Sequence, residues 1–181
     1  LPISTSNPSI YVTGQTNSAD MFASPNITYT THPVRSTIND GSGSNENDAF
    51  VTKIISASGT LSYTLSTYLG GEGADTGTGI EVDPAGDMYV TGSTDSSDFF
   101  GQGDTPFQAG LSGGTDAFVT KLNGNDGTIA LSTYVGGSED DVANGIAVDS
   151  EKHIYITGSS AGGNYPLVEP LPQQPTYAGG D

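Results

Sequence analysis

"LSTYLGGEGADTGTGIEVD", Leu65 to Asp83, is followed sixty-six residues later by "LSTYVGGSEDDVANGIAVD", Leu131 to Asp149. In both copies short apolar runs alternate with polar residues and are bounded by Gly, Asn, Asp and Ser, which is strand and turn chemistry. Other phrases recur in step. "IYVTG" (Ile10 to Gly14) returns as "MYVTG" (Met88 to Gly92) and "IYITG" (Ile154 to Gly158), and "DAFVTK" (Asp48 to Lys53) returns at Asp116 to Lys121. The tyrosines at 11, 89 and 155 stand 78 and 66 residues apart, so the unit is 66 residues long and its first copy carries an insertion.

The second copy resolves into four short strands: "GIEVD" (Gly79 to Asp83), "MYVTG", "DAFVTKL" (Asp116 to Leu122) and "IALSTYV" (Ile129 to Val135). "PAGD" (Pro84 to Asp87) and "NGNDG" (Asn123 to Gly127) supply the residues that start turns or tolerate positive φ, so both joints read as hairpins. Helical periodicity is missing throughout. The expected fold is all-β: tandem four-stranded antiparallel blades, β-propeller-like and incomplete within one chain. A single such sheet cannot bury both faces, so the duplication itself makes the core. The residues expected between sheets are Ile80, Val82, Val90, Phe118, Val119 and Tyr134, with their counterparts Ile146, Val148, Ile156, Phe50, Val51 and Tyr68.

Composition narrows the partners. The 181 residues include 21 Asp plus Glu against four Lys plus Arg, a net charge of −17. Nucleic acid and anionic lipid are thereby disfavoured, because each phosphate contact wants a Lys or Arg. No Cys is present, so disulfides and thiolate metal sites are excluded. No apolar run reaches the roughly 18 residues that would span a bilayer as a helix.

Taken together, "LSTYLGG", "GIEVD", "MYVTGSTDSSDF" and "DAFVTKLN" resemble the bacterial and archaeal β-propeller repeat SBBP, which occurs in tandem in large secreted or surface proteins. The resemblance covers Asp48 to Gly158 well and Ile10 to Gly14 in part. It implies a fold and an extracellular or cell-surface location, and it implies no activity. The division expected along the chain is a leading strand at 1–16, a long loop insertion at 17–47, the outer strands of a first blade at 48–78, a complete repeat at 79–144, and the start of a third with a Pro-rich end at 145–181.

Two blades and a spare strand cannot close a ring, since propellers typically take about four to eight. Three explanations stay open: an excerpt of a longer propeller, a sandwich built from the same repeat, or sheets finished by strands of neighbouring copies.

No catalytic constellation emerges. His32 and His153 lack a repeated acid at a suggestive spacing, and no Ser lies in an SxxK context. Carboxylates are the better lead. Asp75 and Asp141 take equivalent places in the Gly-rich turn, Asp83 and Asp149 end a strand, and Glu139 and Asp140 thicken the second turn. Such oxygens either coordinate Ca²⁺, which takes about six to eight oxygen ligands, or close turns on backbone N–H groups. Phe99 and Phe100 in "DSSDFFG" either contact a sugar or protein or anchor a long loop. Asn26 in "NIT" is the one glycosylation sequon. The function expected is a non-enzymatic extracellular structural protein that self-assembles head to tail through open sheet edges. The alternative is a glycan- or protein-binding adhesion module of a larger secreted protein, with a propeller hydrolase or lyase third.

Overall fold

A computed structural model describes residues 8–19, 21, 46–57, 60–99, 106–162 and 164–166. The described residues form nine strands and no helix: β1 (Ser9–Thr16), β2 (Asp48–Ala57), β3 (Thr60–Leu69), β4 (Asp75–Val82), β5 (Met88–Thr94), β6 (Asp116–Leu122), β7 (Ile129–Val135), β8 (Asp141–Val148) and β9 (Ile154–Ser160). They make three antiparallel sheets in chain order: β1-β2-β3, β4-β5-β6-β7 and β8-β9. The middle sheet is a complete blade. The first has the last three strands of the unit, and the third has its first two.

The boundaries read from sequence at 78/79 and 144/145 fall inside β4 and β8. Each of these strands carries an irregularity, between Gly77 and Gly79 and between Ala143 and Gly145. Such a bulge breaks the alternation that marks a strand in sequence. It hides the first four residues of each strand, so Asp75 and Asp141 open strands and do not sit in the preceding turn.

Residue choice explains the hairpins. Gly86 and Gly127 lie at φ of 90° and 75°, where a side chain is disfavoured. Register then repeats: Tyr11 faces Lys53 and Gly14 faces Phe50 in the first sheet, while Tyr89 faces Lys121 and Gly92 faces Phe118 in the second.

The core lies between the first two blades. Ala49, Val51, Leu65 and Leu69 of one meet Met88, Val90, Phe118, Leu122 and Tyr134 of the other, with Phe99 from the loop beyond β5. Burial of each large side chain contributes about 1.5–3 kcal/mol. Of the residues expected between sheets, Val51, Tyr68, Val90, Phe118, Val119 and Tyr134 are buried. Phe50, Ile80, Val82, Ile146, Val148 and Ile156 are half-buried. Phe50 and the third-sheet residues belong to the two incomplete blades, which have fewer strands to cover them.

Candidate functional site

The two ends of the blades use carboxylates differently. At the hairpin end, Asp83 Oδ1 accepts the N–H groups of Ala85 and Asp87 at 2.9 and 3.0 Å, and Tyr89 donates to Oδ2 at 3.3 Å. Asp149 repeats the pattern with Glu151 N, His153 N and the Tyr155 hydroxyl at 2.9, 2.9 and 3.0 Å. These aspartates close turns. Burial works against ionisation of Asp83, but Lys152 and the backbone donors outweigh it and hold its carboxyl below the usual range. The His153 N–H, assisted by its ring, holds Asp149 down at about 2.

Lysines and a histidine contact stitch this end together. Lys121 Nζ lies 3.0 Å from Asp87 Oδ2 within the middle blade. Lys152, in the next blade, reaches back to Asp83 at 3.2 Å and Asp87 at 3.8 Å. His153 Nδ1 sits 2.8 Å from Asp149 Oδ2. Sequence reading missed this last pair, though the i,i+4 spacing across the β8–β9 hairpin was there to find.

At the opposite end, aspartates meet across blade junctions. A Cβ placed on Gly70 would stand 2.5 Å from Asp48 Oδ1 and 2.7 Å from Asp75 Oδ2. At Gly136 the same probe would stand 2.6 Å from Asp116 Oδ1 and 2.9 Å from Asp141 Oδ2. All four carboxyl groups are fully buried. Asp75 Oδ2 accepts Gly71 N and Ser96 Oγ, both at 2.8 Å, and Asp141 Oδ2 accepts Gly137 N at 2.6 Å. The Oδ1 atoms of Asp75 and Asp141 are buried without a hydrogen-bond partner. Burial raises the Asp75 carboxyl to about 7, and the Asp48 charge adds to the rise. The pair therefore tends to hold a proton, as like charges crowded together in a low dielectric do.

The neighbouring loops close this end. Glu72 N donates to Asp98 Oδ1 at 2.7 Å, Gly73 N to Ser96 Oγ at 2.9 Å, and Ala74 N to Asp95 Oδ1. In the next junction Asp140 Oδ1 accepts Thr115 N at 3.1 Å and Asn164 Oδ1 accepts Ser138 N at 3.1 Å. Glu139 and Asp140 are exposed.

The six carboxylates singled out for calcium thus divide between two ends: Asp83 and Asp149 in hairpins, Asp75, Asp141, Glu139 and Asp140 at junctions. Among the described residues no three His, Asp or Glu side chains gather around one point suited to a metal ion. A metal at a junction would be held by Asp75 with Asp48, or by Asp141 with Asp116, plus backbone oxygens.

Phe99 is a core residue. Its ring stands 4.5 Å from that of Phe118 and 6.2 Å from that of Tyr134, so it anchors its loop and offers no face to a ligand. Phe100, Asn26 and His32 lie outside the described residues.

The remaining feature is an edge. Strand β9 pairs with β8 alone, and its other side carries no strand among the described residues. Beside it a cleft of about 220 Å³ is lined by Ala117, Asp141, Ile156, Gly158 and Tyr165. The Tyr165 hydroxyl is held above its ordinary range by burial and by the nearby Asp141.

Compared with known families, residues 66–100 and 132–166 each match the beta-propeller repeat SBBP. No curated protein matches the chain.

Proposed function

From a chain that carries two SBBP beta-propeller repeats, we propose a non-enzymatic structural protein of the cell surface or extracellular medium, whose units associate head to tail through open sheet edges. One observation carries this reading. The middle blade has all four strands, whereas β1 and β9 each pair on one side only among the described residues. An unpaired edge is a template for another strand, and a head-to-tail contact that does not close into a ring propagates.

Three further features support a structural role. The buried polar groups serve the fold: carboxylates fill loop N–H groups, and hydroxyls bridge strands, as in Thr52 with Ser66 at 2.7 Å and Thr120 with Ser132 at 3.0 Å. Among the described residues His153 pairs with Asp149, and the pair is solvent-exposed on a hairpin. The strong negative charge favours a cation-rich, solvated setting and keeps unassociated chains apart.

Static light scattering and negative-stain microscopy over a concentration series test the reading. Growth of linear assemblies is expected, and a monomer at the highest concentration overturns it. Calcium enters as a ligand of the junction carboxylates and is tested separately. A ligand that binds only the folded state raises apparent stability, so an unchanged Tm in EGTA removes calcium from the account.

A further inference from the structure

Three strands in this chain are versions of one sequence: β1 with "IYVTG", β5 with "MYVTG" and β9 with "IYITG". Two of them carry a partner strand beginning "DAFVTK" on the edge away from the preceding strand of the unit, and in one register. Tyr11, Gly14 and Thr16 face Lys53, Phe50 and Asp48; Tyr89, Gly92 and Thr94 face Lys121, Phe118 and Asp116. The third has the same side chains and no such partner among the described residues.

Each side chain shared by the first two strands has a task in that pairing. The lysine ammonium sits 5.7 Å over Tyr11 in one case and 5.2 Å over Tyr89 in the other. The threonine hydroxyl donates to the phenylalanine carbonyl, Thr13 to Phe50 at 2.8 Å and Thr91 to Phe118 at 2.6 Å. The glycine leaves room for the phenyl ring, whose Cε1 would stand 3.0 Å from a Cβ at either Gly14 or Gly92. In β9, Tyr155, Thr157 and Gly158 take these three places. Tyr155 is 57% exposed, and the space beside Gly158 is part of the cleft. Tyr165 stands where Phe99 stands in the middle blade, and Phe99 packs on the ring of Phe118. Among the described residues the cleft thus has a tyrosine wall and no phenyl ring inside it.

We infer that the free edge of β9 is a binding site for an extended segment of the type Asp-Ala-Phe-Val-Thr-Lys, contributed by another repeat. The segment runs antiparallel to β9, with its Lys opposite Tyr155, its Phe opposite Gly158 and in the cleft against Tyr165, and its Asp opposite Ser160. Backbone pairing supplies affinity, and the phenyl and ammonium groups supply selectivity. This inference rests on the open edge invoked for assembly, and it adds the identity of the occupant, a copy of the segment that is not already held between two strands of its own sheet as β2 and β6 are.

The test titrates a fluorescent peptide, Asp-Ala-Phe-Val-Thr-Lys-Leu-Asn, into the full chain. Saturable one-to-one binding is expected, weakened about tenfold or more when the peptide Phe is replaced by Ala. Tyr165→Ala in the protein should weaken it severalfold. Register is read by disulfide trapping, for which a chain with no cysteine is well suited. Thr157→Cys should trap a peptide whose Val is replaced by Cys, matching Thr91 opposite Val119, and not one with Cys one place along. Absence of binding, or trapping at every position alike, overturns the inference. Peptide binding by a chain that stays monomeric removes head-to-tail assembly and keeps the site. Assembly undisturbed by excess peptide does the reverse.

Discussion

The Phe118 ring lies against Gly92 so closely that a Cβ at position 92 would stand 3.0 Å from Cε1, and that same Cβ would collide with the Thr76 carbonyl from the other side. Phe50 is related to Gly14 in the same way, but there the probe meets only the Phe50 ring. Gly92→Ala is therefore expected to destabilise the chain by about 3 kcal/mol, while Gly14→Ala costs about 1 kcal/mol, because a lone phenyl can yield and a paired strand cannot. Urea denaturation of the two variants checks the order. Equal losses would mean that the neighbouring strand of the blade is not what confines Gly92.

Much of this architecture was legible in the sequence, since "IYVTG" and "DAFVTK" mark the paired strands and "PAGD" and "NGNDG" mark the hairpins. The opening halves of β4 and β8 were not. "DTGTG" and "DVANG" carry bulges and bury small or polar side chains against neighbouring strands, so no apolar alternation announces them. Asp75 and Asp141 read as turn residues for the same reason. Their pairing across blades joins positions such as Asp48 and Asp75 that belong to different repeats, and a pattern read within one unit does not register it. The split fate of the acidic residues follows: those in hairpins bond locally and are readable, those at junctions depend on tertiary packing.

Tyr134 is tied into the middle blade by its hydroxyl, which donates to Ser96 O at 2.8 Å and accepts Phe99 N at 3.0 Å, both buried. Tyr68 makes the equivalent bond to Ser18 O at 2.6 Å in a half-buried setting. Removing a buried partner strands the groups left behind, at about 1–3 kcal/mol, whereas water replaces a half-exposed one more cheaply. Tyr134→Phe should lower stability by about 2 kcal/mol and Tyr68→Phe by about 1 kcal/mol. Hydrogen exchange at the Phe99 amide should rise in the first variant only. Protection of that amide in Tyr134→Phe would show that the loop is held by other contacts.

The Asp75 carboxyl, raised by burial from 3.8 to about 7, makes stability depend on pH in a defined direction. Between those values the folded chain holds a proton that the unfolded chain has lost, so stability falls as pH rises from about 4 to 7 and is level above. The whole effect is at most about 4 kcal/mol, from about 1.4 kcal/mol per tenfold change in proton affinity. Asp75→Asn keeps the size of the side chain and removes the charge. Its urea midpoint should exceed that of the parent at pH 8, and the two curves should converge near pH 4. A parent whose stability climbs between pH 5 and 7, with the variant parallel to it, would mean that Asp75 is ionised throughout.

Lys152 occupies a left-handed turn position, φ 69°, that Gly86 fills at φ 90° in the preceding unit. Holding a residue with a Cβ there costs roughly 1–2 kcal/mol. The side chain offsets part of this by bridging blades to Asp83 at 3.2 Å and Asp87 at 3.8 Å, but the ammonium end is about half exposed, so the bridge is screened. Lys152→Ala keeps the strained backbone and loses the bridge, and it should be less stable than the parent. Lys152→Gly loses the bridge and the strain together, and it should exceed Lys152→Ala by about 1 kcal/mol. Since Lys152 helps hold the Asp83 carboxyl below its ordinary value, its contribution is present above about pH 4 and is lost as pH falls and Asp83 takes up a proton. The parent and Lys152→Ala should therefore draw together in acid, measured by thermal melts from pH 7 to pH 3. A gap that stays constant across that range would assign the loss to packing of the lysine stem and not to its charge.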